Sequence, residues 1–366
     1  MTSTIVLAGF ITLAAATLWF LYSFFLGKPW SIRGLFARTF IKFALRGPEL
    51  LTYLGILERL GFHGHNARLD DASEAFADKT YAFMKRDLRI LKSYRLERLP
   101  PGTRLSAEVM EWFLADQERE EAWRYHGYPV NQMFGVQSSL PDFMLTMHPL
   151  DNAADIRNYP KRLRRFGVKI GQVLEGLSIR AEKGIYPPRF MIERVLTEMR
   201  SFVAHEPEGH PLYVNFAKKA GESGKTRPGQ FARLSASVVE ALESVVYPAY
   251  ALLIGHFESL LDKTSSDHGA WALPQGDAYY RWRLHSNTTA DYGPEEIHAM
   301  GLAEVERIEG EMSRILSETG EAAGASPAKT LAALGKDERF LYPDNEEGRS
   351  ACRSEEHTSE LQSPNT

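Results

Sequence analysis

Three features of the sequence predict an all-α fold. Apolar residues recur at helical spacing along almost the whole chain, runs of strict alternation are hard to find, and prolines and glycines are spread out as punctuation rather than clustered. The chain has 366 residues, 44% hydrophobic and 25% charged, the composition of one large globular domain or two. That excludes a disordered or fibrous protein. The single cysteine, Cys352, rules out an internal disulfide, and 43 basic against 47 acidic residues leave no surplus for a nucleic-acid partner.

Ile5 to Leu26 is an uncharged stretch of 22 residues, long enough to cross a hydrocarbon core of about 30 Å. A secretory signal would begin with a basic segment and end in small residues, whereas MTST precedes this stretch and bulky Trp19 to Leu26 close it. It is expected to persist as a transmembrane helix in contact with the lipid bilayer, making residues 1–27 an anchor. Lys28, Arg33, Arg38, Lys42 and Arg46 follow with no acid before Glu49. The positive-inside rule then predicts a single-pass inner-membrane protein with a cytoplasmic body; a periplasmic body is the alternative.

Asp71 to Tyr94 reads as a helix with Phe76, Tyr81, Phe83, Met84, Leu88 and Leu91 on one stripe, interrupted by Pro100, Pro101 and Gly102. Ser106 is the expected cap of the next helix, with Glu108 in its first turn and Trp112, Phe113 and Trp123 along it. His126 to Leu150, dense in Gly, Pro, Asn and Gln yet rich in large apolar residues, predicts an ordered, partly buried loop or short helix. Helices are expected over Asp151 to Lys183, from Pro188 through Val203, and from Leu234 to Leu261 with a distortion at Pro248. Asp277 to His285 should be a short aromatic helix, and Pro294 should open a long one that Gly320 terminates. No internal repeat is visible.

The carboxyl end is different in kind. Arg353 to Ser363 is a frame translation of a common short-read sequencing adapter. Residues 353–366 are therefore expected to be adapter-derived, leaving 28–352 as an incomplete helical domain.

Motifs that could carry chemistry fall short of their requirements. Gly221 to Thr226 (GESGKT) imitates the end of a phosphate-binding loop, but Lys219 occupies the first glycine's place, no buried strand precedes it and Pro228 follows, so a solvated loop without nucleotide is expected. His205 and His210, with Glu206 beside them, resemble a zinc-peptidase helix, but five residues turn a helix by about 500° and leave the rings about 140° apart. Pro207 and Gly209 also end the helix there. Glu295 and His298 have the spacing of one di-iron ligand pair without a second; Glu295 should serve the helix dipole and His298 should face a neighbour. His63 and His65 give only two ligands, and no Gly-x-Ser-x-Gly elbow occurs. No catalytic or metal-binding residue is assigned, and no cofactor is expected in this chain.

Three stretches carry a family resemblance: KPWSIRGLFARTFIKFALRGPELLTYLGILERLGFHGHNARLDDAS, PVNQMFGVQSSLPDFM with PPRFMIERVLTEMRSF, and YYRWRLHSNTTADYGPEEIHAMGLAEVERIEGEM. They resemble the bacterial family called domain of unknown function 885, over essentially Lys28 to Cys352. Members look like helical zinc peptidases related to the thimet and angiotensin-converting groups. The resemblance implies a downstream His-Glu-x-x-Pro-Gly-His-His segment, before which this sequence stops, so zinc and peptide cleavage are expectations for a complete protein. It also implies a cleft wall near Tyr279, Tyr280, Asn287, Thr288, Thr289 and Asp291, whose donors would hydrogen-bond a peptide backbone; the alternative is that Thr288, Thr289 and Asp291 order the approach to a helix. His285, Ala290 and Gly293 depart from the family's Arg, Thr and capping Thr. The expected function is thus the inactive amino-terminal part of a membrane-anchored, zinc-metallopeptidase-like hydrolase. A non-enzymatic helical binding or scaffolding protein at the inner membrane is the alternative.

Overall fold

The computed structural model describes residues 14–15, 17–19, 22–25, 27–266, 269–321 and 326–362, and among them no strand occurs. Much of the predicted transmembrane stretch, residues 5–26, lies outside the described residues. Those described between 14 and 25 are helical.

The first helices are α1 (Ile32–Arg46), α2 (Pro48–Leu54) and α3 (Ile56–Arg59). Ser31 caps α1 by accepting a bond from the Gly34 amide, and Gly55 divides α2 from α3 in the left-handed region at φ 62°. Next come α4 (Glu74–Lys92), capped by Ser73, and α5 (Pro101–Glu120). Here the sequence expectation needs correction. Pro101 opens α5 rather than interrupting the pattern, because a proline at the first turn lacks only an amide that would have no helical partner. Ser106 lies inside α5 and bonds back to the Gly102 carbonyl at 3.0 Å.

The irregular stretch resolves into an ordered loop and α6 (Val136–Thr146). The helix expected over Asp151 to Lys183 is two, α7 (Ala153–Leu163) and α8 (Arg165–Glu182). The reason is burial: α7 hides Asp155, Ile156, Asn158, Tyr159, Pro160, Arg162 and Leu163, more than half its circumference, with Arg157 and Lys161 on its exposed side, whereas α8 buries one stripe through Phe166, Ile170, Val173 and Leu177.

Then follow α9 (Arg189–Val203), α10 (Pro211–Ser223), α11 (Pro228–Ala241) and α12 (Tyr247–Glu258). Pro228 starts α11 instead of spoiling a helix. Between α11 and α12 the chain makes a π-turn over Leu242–Val246, in which the Tyr247 amide reaches the Leu242 carbonyl. This is the distortion expected at Pro248, whose missing amide and bulky ring disfavour regular α geometry just ahead of it. Among the described residues only Pro228–Glu258 is long and apolar enough to cross a membrane. Its Val238, Leu242, Val246, Tyr250, Leu253 and Phe257 are fully buried in the protein core.

The remaining helices are α13 (Gly276–Thr288), α14 (Pro294–Glu318), α15 (Pro327–Leu334) and α16 (Glu346–Gln362). The chain divides into two compact units, residues 1–280 and 281–366. The first unit holds a large apolar core built from α6 to α12 and a smaller one from Ile32, Leu35, Met84, Leu88, Leu91, Ala107 and Leu114 of α1, α4 and α5. The second has little core. On α14, Val305, Ile308, Met312 and Ile315 recur at 3-4-3 spacing and are 54%, 39%, 37% and 46% exposed.

Candidate functional site

Three places in the first unit concentrate chemistry. The first is a buried polar network centred on Arg162. Its guanidinium is wholly buried and donates to the carbonyls of Arg68 and His65 at 2.8 and 3.0 Å, to Thr52 Oγ1 at 2.8 Å and to Asn66 Oδ1 at 3.3 Å. It also donates to His148 Nδ1 at 3.0 Å, while His148 Nε2 donates to the Asp155 carbonyl at 3.1 Å. Burial lowers the Arg162 pKa to about 10, with Glu49 and Asp155 opposing, so it stays charged at neutral pH. Burial and the Arg162 charge push His148 down to about 3, so its ring is neutral. Asp155 completes the cluster, accepting from Asn66 Nδ2 at 2.7 Å and His63 Nδ1 at 2.9 Å.

This network explains the His63-Gly-His65 pair. The two rings serve different carboxylates, His63 meeting Asp155 and His65 Nε2 meeting Glu58 at 2.7 Å. Among the described residues no three His, Cys, Asp or Glu side chains converge as metal ligands. The cluster's chemistry is that of a brace pinning residues 63–68 onto α7, since almost every polar atom already has a protein partner.

The second place is the loop before α6. Asn131 Oδ1 accepts from the amides of Met133 and Phe134 at 2.9 Å each, and Gln137 Nε2 reaches back to the Asn131 carbonyl at 2.6 Å and to Glu198 at 3.1 Å. Gly135 fits because a Cβ there would lie 2.0 Å from Gln137 Oε1 and 2.4 Å from the Asn131 amide nitrogen. The result is a stiff turn presenting Phe134, 82% exposed, and Met133, 67% exposed. The density of Asn, Gln, Gly and large apolar residues was the available signal for an ordered loop; the partners of Asn131 and Gln137 were not readable.

The third is an apolar groove of about 530 Å³ between α1, α4 and α5, lined mainly by Phe36, Phe40, Phe43, Phe83, Val109 and Phe113. Sequence reading did not identify it, because its walls come from three separate helices. Adjacent to it, the end of the amino-terminal helix is clasped by α1. Arg38 Nη1 donates to the Gly27 carbonyl at 2.7 Å and Lys42 Nζ to the Phe25 carbonyl at 2.6 Å, cations placed where helix carbonyls lack partners.

The motif residues read from sequence sit as follows. Gly221 to Ser223 end α10, Gly224 is its left-handed cap at φ 60°, and Lys225 and Thr226 belong to the link to α11. His210 caps α10 through its Nδ1, 3.2 Å from the Leu212 amide, and burial lowers its pKa to about 4. His205 is exposed, in the turn after α9. Glu295 lies in the first turn of α14; His298, expected to face a neighbour, is exposed instead, one heptad before Val305 on the same exposed side of α14.

Of the expected cleft residues, Tyr279 packs on His126 with ring centroids 4.8 Å apart and on Trp123 at 5.8 Å. Tyr280 is 45% exposed. Asn287 Nδ2 and Thr288 Oγ1 donate to the carbonyls of Arg283 and Leu284, one turn earlier, and Thr289 is left-handed at φ 56°. Asp291 meets His285 Nδ1 at 3.0 Å, and Gly293 stands at the cap of α14 without a side-chain bond.

An all-helical body with these features matches one protein family, described as a bacterial protein of unknown function (DUF885), over residues 48–359. The chain belongs to that family. The match reaches into the segment read as adapter-derived. A search of curated proteins finds no match. Among solved structures, one from Colwellia psychrerythraea, described as a "putative lipoprotein", superposes with a TM-score of 0.81 at 23% identity over 88% of this chain and 56% of that one. A second of the same description and of unknown function, from Shewanella oneidensis, gives 0.56 at 15% identity over 79% and 48%. The chain thus spans about half the length of the solved structures it matches.

Proposed function

We propose that this chain is the amino-terminal helical part of a membrane-anchored, zinc-metallopeptidase-like protein, whose catalytic zinc and peptide-cleaving residues lie in a segment following it. The observation that carries this reading is the exposed stripe of α14. Val305, Ile308, Met312 and Ile315 form the seam with which a helix ordinarily packs against another, and the solved structures of the same fold continue well beyond the portion matched. In this reading Tyr279, Tyr280, Asn287, Thr288, Thr289 and Asp291 stand along one wall of a peptide cleft that the following segment completes. The chain alone holds no catalytic zinc and cleaves no peptide.

In this reading residues 5–26, an uncharged stretch of 22 residues, supply the anchor. The five cations from Lys28 to Arg46 favour a cytoplasmic body; the description of the two solved relatives favours the periplasmic alternative. Reporter fusions after Arg46 decide between them. The peptidase reading is tested by continuing the reading frame past Cys352 in the source genome, then measuring zinc content and hydrolysis of a mixed peptide library. One zinc per complete chain with chelator-sensitive cleavage, and neither in residues 1–366, is the expected result. A complete protein without zinc or cleavage would leave the scaffolding reading.

A further inference from the structure

The helix α1, IRGLFARTFIKFALR, contains no acidic residue. A helix at the surface of a soluble protein turns a polar face to water, but the groove side of α1 carries Phe40 and Phe43, 54% and 50% exposed. Beside them lie Leu105, Val109 and Phe113 of α5, 62%, 59% and 49% exposed, and Trp30, 71% exposed, immediately before α1. Together with the groove of about 530 Å³ they make an apolar surface rich in aromatic rings. Its nearby unpaired charge is basic: Arg33 is exposed on α1 and no acid occurs between Lys28 and Pro48. Aromatic and aliphatic side chains bordered by cations suit the boundary between acyl chains and anionic headgroups.

The position of this surface relative to the amino-terminal stretch specifies its occupant. Lys42, on α1 between Phe40 and Phe43, bonds the Phe25 carbonyl at 2.6 Å, and Arg38 bonds the Gly27 carbonyl at 2.7 Å. The end of the predicted span is therefore tied to α1, the helix that forms one wall of the groove.

We propose that the groove between α1, α4 and α5 is the seat by which the body rests on the bilayer, with Phe40, Phe43, Val109 and Phe113 at the acyl boundary and Arg33 beside lipid phosphate. The inference rests on the reading of residues 5–26 as inserted. A second copy of the chain or a peptide segment of another protein would cover the same groove without lipid contact.

The test uses the full chain with Cys352→Ser and one new cysteine at a time, labelled with an environment-sensitive fluorophore. Phe43→Cys and Phe113→Cys report on the groove, Thr12→Cys on the span, and Val168→Cys, exposed on α8, serves as control. Leu105→Cys and Val109→Cys replace the first pair if loss of Phe43 unsettles α1. Each variant is reconstituted into phosphatidylglycerol-containing vesicles with brominated acyl chains. Groove and span labels should be quenched about two-fold or more, as for side chains at acyl depth, while the control is unchanged. A quenched span label with unquenched groove labels overturns the seat and leaves the anchor standing. Quenched groove labels with an unquenched span label keep the seat and remove the anchor, and no quenching at either removes both.

Discussion

Arg38 and Asp87 form an ion pair with Nη2 2.6 Å from Oδ1, and their side chains are 0% and 1% exposed. Thr39 donates to the other carboxylate oxygen at 2.6 Å, so both oxygens of Asp87 are occupied. One residue thus joins α1 to α4 and, through the Gly27 carbonyl, to the end of the amino-terminal helix.

Removing one partner of such a pair strands a charge away from water. Asp87→Ala should destabilise the protein by about 3–5 kcal/mol, whereas Arg38→Met with Asp87→Leu together should cost much less. Chemical denaturation of the two variants checks this; equal losses would show that the charges matter only through packing.

Neutral His148 gives a pH dependence of defined sign. Its folded pKa of about 3 lies below the ordinary 6.5, so the folded chain binds fewer protons than the unfolded chain between those values. The stabilisation is fully present above pH 6.5 and is lost as pH falls towards 3, at about 1.4 kcal/mol per pH unit for this one group. His210, lowered to about 4, adds a similar slope above pH 4. His148→Asn should be less stable at pH 7 but lose less between pH 6 and pH 4, as measured by urea denaturation at each pH.

Gly135→Ala should cost at least about 2 kcal/mol, because the added carbon meets backbone atoms of Asn131 as well as Gln137. Gly127→Ala, where a Cβ would meet nothing within 4 Å, should fall within about 0.5 kcal/mol of the parent. Comparing melting temperatures of the two variants separates steric necessity at residue 135 from a general intolerance of that loop.

Deleting residues 353–366 should leave the melting temperature unchanged. The described side chains at 353–355 are exposed, and among the described residues Arg353 meets Glu346 within its own helix, at 3.1 Å. A fall of several degrees would mean that the tail is a genuine element.

Local signals were legible where one residue decides the outcome. Pro294 opens α14 and Pro248 sits beside the π-turn, each through an effect confined to a turn or two, whereas the cap of α4 is Ser73, inside the helix expected from Asp71. Pro101 and Pro228 were misread as breakers because the same ring that stops a helix from within starts one at its first turn. The helices α1 to α3 went unread since Gly47 and Gly55 cut the periodicity into short pieces. The brace at Arg162 was invisible in principle, because Thr52 lies 110 residues away and only folding brings it within 2.8 Å.

The π-turn at Leu242–Val246 sets the phase of the long core helix. Val238, Leu242, Val246 and Tyr250 follow one another at intervals of four, and in regular α geometry each such step would drift by about 40° around the axis. Winding more loosely over these five residues absorbs that drift, so the row stays directed into the core. A residue lost inside the π-turn would let it tighten to an α-turn with both flanks in place, whereas one excised from the regular helix just beyond it, before Tyr250, would act like a skipped gear tooth. Everything beyond it would rotate by about 100°, carrying Tyr250 and Phe257 towards water even though every individual side chain in the helix had been retained.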